Sequence, residues 1–335
     1  MNIMEMTKFR RVCVTGSVYV LFLYFLITEE SKLDRTFYFI TDSIKSNLWK
    51  ELPFCYVLNH NEFKFRNKIF TIIWRQYVGL FKWRFLKKAD FYGLDYYWFI
   101  PYKGRLSYIE DAPEIFKISS LPNKSPDRCA KYWAQKNRIT KTIINFFCGP
   151  YYMNYVASSK KIHKIYKTNP NDDASWLNKE KCIDIDIQKL WTESSDMKKQ
   201  WILDHFSINN TDVNIINKRR IIIFTQQFCD DKYISEDEHY EIYKKIISKY
   251  PLNMILIKTH PRDTFKYEKY FESIPVFRKI VPSQLLFCLG AKIEIAATIS
   301  SSAVRDLPAT VKVDWYGNEI SEKLVRILGH QSYKL

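Results

Sequence analysis

Lys258-Thr259-His260-Pro261-Arg262-Asp263 places an imidazole between two cations, directly after the aliphatic run Met254-Ile255-Leu256-Ile257. Such a run reads as a buried parallel strand that hands polar residues to the carboxyl edge of a sheet, where α/β folds take their ligands. Pro261 fixes its own φ and steers His260 away from helical geometry, so the imidazole is held on a defined turn. Phosphate binding is the chemistry this suits: Lys258 and Arg262 favour a dianion, and a nearby anion favours the protonated imidazole. The alternative is a strand-end histidine that only caps a turn.

Two more polar clusters follow strand-like runs. Gln226 to Asp231 comes after Arg220 to Thr225, and Ser300-Ser301-Ser302 comes after Ile293 to Thr298. On neighbouring strand ends, the three clusters would converge on one crevice. A helix opening at Ser302-Ala303-Val304-Arg305 offers hydroxyls and free backbone N–H groups to a phosphate, or else is an ordinary N-cap. In the first half, the strand Leu106 to Ile109 ends on Glu110-Asp111. Adjacent carboxylates raise each other's proton affinity, which poises one of them as a general base near neutral pH. A solvated acidic turn is the alternative, and Asp230-Asp231 presents the same choice. Gly16, in the loop after the first strand, joins the candidate binding residues.

Other signals are weaker. Asp184-Ile185-Asp186 has the spacing of metal-dependent sugar transferases, but among its lysines a salt-bridged surface is the expected role. His60, His163, His205, His239 and His330 lack metal-ligand spacing and are read as structural or exposed. No glycine-rich phosphate loop is present. No metal or cofactor is expected.

These residues need elements to position them. Arg11 to Val14, Phe37 to Ile40, Phe54 to Leu58, Tyr96 to Ile100 and Leu106 to Ile109 read as strands, and Asn67 to Lys88 reads as a helix with a basic, aromatic face that suits core packing or a membrane surface. Residues 169 to 217 are polar and turn-rich with one helix near Ser194 to Phe206, and are read as a linker. A second series follows: strand Arg220 to Thr225, helix Glu236 to Tyr250, strand Met254 to Lys258, then Val276 to Val281, a helix Ser283 to Leu289, Ile293 to Thr298 and Val311 to Trp315. The fold class is therefore α/β, with two Rossmann-like domains facing a central cleft: 1–168, and 218–335 after the linker.

The chain's 335 residues carry 52 Lys and Arg against 36 Asp and Glu, a net charge of +16 that attracts anions. With 47% hydrophobic residues it is globular and long enough for two cores. Its seven cysteines are scattered without a C-x-x-C pair, which points to reduced thiols in a cytoplasmic protein. Val12 to Thr28 is uncharged after Arg10-Arg11, as a signal anchor would be, but it falls short of about 20 residues and is interrupted by Thr15-Gly16-Ser17. Strand, turn and buried helix is the favoured reading.

The succession Ile109-Glu110-Asp111, Phe224-Thr225-Gln226, Ile257 to Asp263 and Ser300-Ser301 resembles the bacterial sialyltransferases, most closely glycosyltransferase family 52, which modifies lipooligosaccharide or capsule. The likeness is strongest from Thr225 to Leu307. It implies a GT-B enzyme that uses cytidine monophosphate sialic acid without a metal. His260 then matches the histidine that contacts the donor phosphate and serves as acid. Ser300 and Ser301 match the serine motif on the same phosphate, and Asp111 or Asp231 supplies the base. Ala112 stands where the family usually has glycine, and Lys232 follows Asp230-Asp231.

The partners that follow are a nucleotide-sugar donor, a galactose-type oligosaccharide or glycolipid acceptor, an anionic surface on the inner face of the cytoplasmic membrane, and a second copy of the chain. Nucleic acid is not expected, because the basic residues are spread along the chain without a stacking or zinc-finger module. The rival readings are a transferase with another donor, a glycerophosphate polymerase included, and a basic nucleic-acid-binding protein.

Overall fold

A computed structural model describes residues 9–41, 44, 50, 52–58, 74, 77, 86, 88–95, 105–120, 156–305 and 307–330. The strand read at Tyr96 to Ile100, His60, Cys129, Cys148 and nearly all of the helix read at Asn67 to Lys88 lie outside these residues. The chain divides into two units, Met1–Ile202 and Leu203–Leu335.

The first unit holds a sheet of seven parallel strands: β1 (Arg11–Thr15), β2 (Thr36–Thr41), β3 (Cys55–Leu58), β4 (Asp90–Gly93), β5 (Arg105–Ile109), β6 (Lys164–Lys167) and β7 (Cys182–Asp184). Their order is β3-β2-β1-β4-β5-β6-β7, so the chain reverses its direction of travel between β1 and β4. That is the switch point of a doubly wound fold, where strand ends open a crevice. β2 is buried at all six positions, as a central parallel strand covered on both faces must be. The helix Val18–Ile27 after β1 is apolar all round and buried from Tyr19 to Leu26, which makes it a core helix. Its 10 residues span about 15 Å at ~1.5 Å per residue, half of a bilayer core. Among the described residues, no helix is long and apolar enough to cross a membrane.

One glycine is dictated by this switch point. Gly93 ends β4 with φ +123°, and a Cβ there would stand 2.0 Å from the Val14 carbonyl oxygen on β1. Only glycine permits that approach.

The second unit repeats the plan with β8 (Ile221–Phe224), β9 (Ile255–Lys258), β10 (Val276–Phe277), β11 (Ile295–Thr298) and β12 (Lys312–Trp315), ordered β10-β9-β8-β11-β12 and all parallel. Its switch point lies between β8 and β11. Ile221, Ile223, Ile255, Ile257, Ala297 and Ile299 share one buried face with Tyr243 and Ile246 of the helix Glu236–Ile247. That helix starts on a capping box: Ser235 accepts from the Glu238 N–H at 3.2 Å, and Glu238 accepts from the Ser235 N–H at 2.7 Å.

Residues 169–217 are divided between the two units. β7 pairs in parallel with β6 as the edge of the first sheet. The helix Asp196–His205 packs on the first core, where Lys198 donates to the Leu26 carbonyl at 2.7 Å and Trp201 meets the Phe25 ring edge-on at 4.8 Å. The helix Asn210–Asn217 is held in the second unit by Lys279, whose ammonium lies 2.5 Å from Asp212. Asp184 and Asp186 have structural roles: the first lies 3.8 Å from the Lys167 ammonium, and the second caps the helix Ile187–Glu193 by accepting from the Lys189 N–H.

Candidate active site

In the second unit, Phe224 pairs with Lys258 on one side and with Thr298 on the other, so β9, β8 and β11 end at one level. The three polar clusters read from the sequence therefore leave adjacent strands at the same edge, around the switch point.

His260 is fixed by both its backbone and its ring. Its N–H donates to the Thr225 hydroxyl at 3.1 Å, and its Nδ1 accepts from the Arg262 N–H at 3.2 Å. Accepting at Nδ1 requires a lone pair there, so the neutral ring carries its proton on Nε2 and presents a donor. Burial, then the charges of Arg262 and Lys258, push the imidazole down to about 4 against a smaller opposing effect of Asp231. The unliganded ring is neutral at physiological pH, and an arriving anion would draw it back towards protonation.

Lys258 is 5% exposed at the end of β9. Its ammonium donates to the Thr259 carbonyl at 3.0 Å and lies 5.7 Å from the Phe277 ring centroid. Burial lowers it to about 8. Arg262 points to Asp231 at 3.3 Å, and Gln227 donates to the other oxygen of that carboxylate at 3.1 Å. Asp230 is occupied with Thr264, accepting from its N–H at 2.9 Å and from its hydroxyl. Lys232, which follows the acidic pair, takes left-handed geometry with φ 61° and closes the turn. Gln226 uses its N–H on the Tyr243 hydroxyl at 2.8 Å, and Pro261 is exposed.

The serine cluster differs from the helix start expected. Ser302–Val304 is a single turn of 3-10 helix, and Ser301 caps it by accepting from the Ala303 N–H at 3.3 Å. The Ser301 N–H is itself held by the Thr298 hydroxyl at 3.0 Å, and that hydroxyl donates to the Phe224 carbonyl at 3.2 Å, which ties the serine turn to β8. Ser301 is buried, Ser300 half-buried and Ser302 exposed.

The first unit brings Gly16, Glu110 and Asp111 to the carboxyl edge of β1 and β5. Thr15 and Ser17 close the loop that holds Gly16, with the Ser17 N–H donating to the Thr15 hydroxyl at 2.8 Å, and the Ser17 hydroxyl reaches the Asp111 carbonyl at 3.4 Å. The carboxylates of the acidic pair have different surroundings. Glu110 is fully buried and accepts from the Tyr19 hydroxyl at 2.7 Å and from Thr168. Asp111 is half-buried, and burial raises its proton affinity, with the Ser17 contact opposing. Desolvation, and not the neighbouring Glu110, is thus what perturbs Asp111.

Sequence reading missed Asp95. It lies two residues beyond β4 at the switch point, is 5% exposed and accepts from the Ala157 N–H at 2.7 Å. Burial and the nearby Asp111 push its carboxyl up to about 7, against its hydrogen bonds to backbone amides. The missed signal was Gly93 just before it, a strand-ending glycine followed within two residues by an acid.

Cys13, Cys55, Cys182, Cys229 and Cys288 are free thiols. His239 is buried, and His330 pairs with Glu319 at 2.9 Å.

Residues 134–322 match glycosyltransferase family 52. An uncharacterized protein of Haemophilus influenzae is 32% identical over 175 residues, 52% of this chain and 56% of that protein, so the match spans about half the length of this curated relative. The chain is similar in fold to the GT-B domain of a Photobacterium damselae sialyltransferase, with TM-score 0.56, 10% identity and 95% of each chain covered. It is also similar to a 2,6-sialyltransferase of Photobacterium sp. JT-ISH-224 solved with CMP and lactose, with TM-score 0.56, 10% identity, and 95% of this chain and 75% of that one covered. An α/β-galactoside α-2,3-sialyltransferase of Photobacterium phosphoreum gives TM-score 0.51 at 12% identity, over 90% and 88% of the two chains. With more than half of its length matched, the chain belongs to glycosyltransferase family 52.

Proposed function

We propose that the protein transfers sialic acid from cytidine monophosphate sialic acid to a galactose-type acceptor on lipooligosaccharide or capsule, with inversion and without a metal. The observation that carries this reading is the set of donors at one sheet edge: the Nε2–H of His260 and the buried ammonium of Lys258 at the end of β9, and the Ser301 turn after β11, on either side of β8. As the glycosidic C–O bond breaks, electrons pass to the phosphate oxygen. Groups already aimed at that edge stabilise the growing charge without reorganising. Lys258, lowered to about 8, still carries its charge at physiological pH, whereas the imidazole, lowered to about 4, is neutral when the site is empty and is drawn back towards protonation by the donor's anion.

The acceptor hydroxyl needs a base. Asp231 is engaged by Arg262 and Gln227, whereas burial raises the proton affinity of Asp111, so Asp111 is the better candidate. CMP and lactose, bound by the 2,6-sialyltransferase of like fold, are the donor product and acceptor to try first. Work on the cytoplasmic face of a membrane, with an anionic surface and a second copy as partners, completes the proposal.

The test is donor cleavage and transfer with a panel of activated sugars: cytidine monophosphate sialic acid, uridine and guanosine diphosphate sugars, and cytidine diphosphate glycerol, each with and without excess EDTA. The expected result is turnover of the sialic acid donor alone, unaffected by chelation. Turnover of another donor only would reject the sialic acid assignment, and loss in EDTA would reject metal independence.

A further inference from the structure

Beneath the His260 turn runs a buried line of polar side chains. Thr225 accepts the His260 N–H at 3.1 Å and passes its own hydroxyl proton to Asp263 Oδ2. Tyr267 donates to the same oxygen at 2.8 Å, and Asp263 Oδ1 accepts from the Phe265 N–H at 3.2 Å. Since the Tyr267 proton is spent on Asp263, the 2.7 Å contact between His239 Nε2 and the Tyr267 oxygen has the histidine as donor. His239 Nδ1 is then a buried acceptor without a hydrogen-bond partner among the described residues. Aromatic packing encloses the line: the His239 ring lies 4.6 Å from Phe265 and 4.8 Å from Tyr243, and Tyr243 meets Tyr267 edge-on at 5.3 Å. Thr225, His239, Asp263 and Tyr267 are all buried, and the Asp263 N–H closes the turn on the His260 carbonyl at 2.9 Å.

We infer that Thr225, Asp263, Tyr267 and His239 are positioning residues: a one-way chain of donors, ending on the Asp263 carboxylate, that fixes the backbone of the His260 turn and so the aim and tautomer of its imidazole. Burial of polar groups is costly unless each is satisfied, and a network whose donors all run towards one carboxylate has a single low-energy arrangement. Ordinary core packing would be met by phenylalanine or valine at these places. Burial raises the Asp263 carboxyl and lowers His239 to about 4, so the chain is set as drawn when Asp263 is ionised and His239 neutral.

This inference rests on the reading that His260 grips the donor phosphate, and its test has one arm that needs no donor. The full chain, labelled with 13C and 15N in its six histidines, is titrated by NMR, with His260 assigned from a His260→Gln variant. Lys258, Arg262 and Asp231 are the charges that act on the ring and are kept in every variant. Thr225→Val keeps the shape and removes the hydroxyl, Thr225→Ser keeps the hydroxyl, and Tyr267→Phe removes one donor without touching the turn. The expected result is a His260 midpoint near 4 in the parent and in Thr225→Ser, raised by a unit or more in Thr225→Val and by less in Tyr267→Phe. In donor cleavage, kcat should fall about tenfold in Thr225→Val and recover in Thr225→Ser. Unchanged midpoints in both Thr225→Val and Tyr267→Phe would overturn the positioning role. Midpoints that move while cleavage does not would leave the positioning of His260 standing and reject the phosphate grip.

Discussion

The two sheet edges follow the same topology and treat charge in opposite ways. At the edge of the first unit, carboxyl groups are buried beside hydroxyls, and Asp95 and Asp111 are shifted towards their neutral forms. At the edge of the second, it is the charged forms of bases that are disfavoured: Lys258 is lowered to about 8 and His260 to about 4. At a buried strand end, desolvation penalises a charge of either sign. The same architecture therefore favours the neutral form of carboxyl groups in one unit and of basic groups in the other, from the choice of residue alone.

The largest effect expected from breaking this contrast is on chemistry. His260→Ala removes the Nε2–H donor and should lower the turnover of donor by about 100- to 1,000-fold, with the melting temperature within a few degrees because the ring is only half-buried. Asp111→Asn should cost a similar factor, and Asp231→Asn about tenfold through the loss of its hold on Arg262. Steady-state rates of the three variants check this. Near-normal transfer by Asp111→Asn would move the base elsewhere.

Stability against pH sharpens the comparison, since the two edges respond with opposite sign. Asp95 has a folded value of about 7 against about 3.9 in an unfolded chain. Between those values the folded state holds a proton that the unfolded chain has released, so stability falls as pH rises through the window, by up to ~4 kcal/mol. Asp95→Asn removes that loss and should gain on the parent from pH 4 to pH 8 in urea melts. Lys258 behaves in the reverse sense. Between about 8 and ~10.4 the unfolded chain holds the extra proton, so stability rises with pH, and below pH 8 the folded state carries the full penalty of up to ~3 kcal/mol. Lys258→Met should stabilise the unliganded protein at pH 7, lose that advantage by pH 10.5, and bind CMP more weakly. Gains that change in the same direction with rising pH at both edges would contradict the contrast.

The second unit was far more legible in sequence than the first. β8 and β9 are runs of Ile and Leu bounded by polar residues, and no other element accommodates them. His260, Ser301 and the Gln226 cluster could be placed because each follows such a run. β4, β6 and β7, reading Asp-Phe-Tyr-Gly, Lys-Ile-Tyr-Lys and Cys-Ile-Asp, carry charged ends and become strands only through pairing with distant neighbours. Missing β4 meant missing Asp95, and missing β7 turned part of the first sheet into a linker. His239 reads from the sequence as structural or exposed; it is buried, and its use of Nε2 on Tyr267 depends on a partner 28 positions away, which spacing does not reveal.

The smallest effect concerns the acidic turn after β5, where Ala112 stands in place of a glycine. Glycine is needed where φ is positive, and here that demand falls two residues later. The Ile115 N–H donates to the Ala112 carbonyl at 3.2 Å, with Pro113 second in the turn and Glu114 third at φ 59°. Proline followed by a positive φ is a type II turn, whose third position is the one that favours glycine. Glu114→Gly should therefore stabilise the first unit by up to ~1 kcal/mol, offset in part by backbone entropy and by the weak pair of Glu114 with Lys117 at 3.9 Å. Ala112→Gly relieves nothing and should destabilise by about 0.5 kcal/mol through the unfolded state. Chemical denaturation of the two variants orders them. The opposite order would mean that the turn is built around position 112 after all, and with it a different presentation of Asp111.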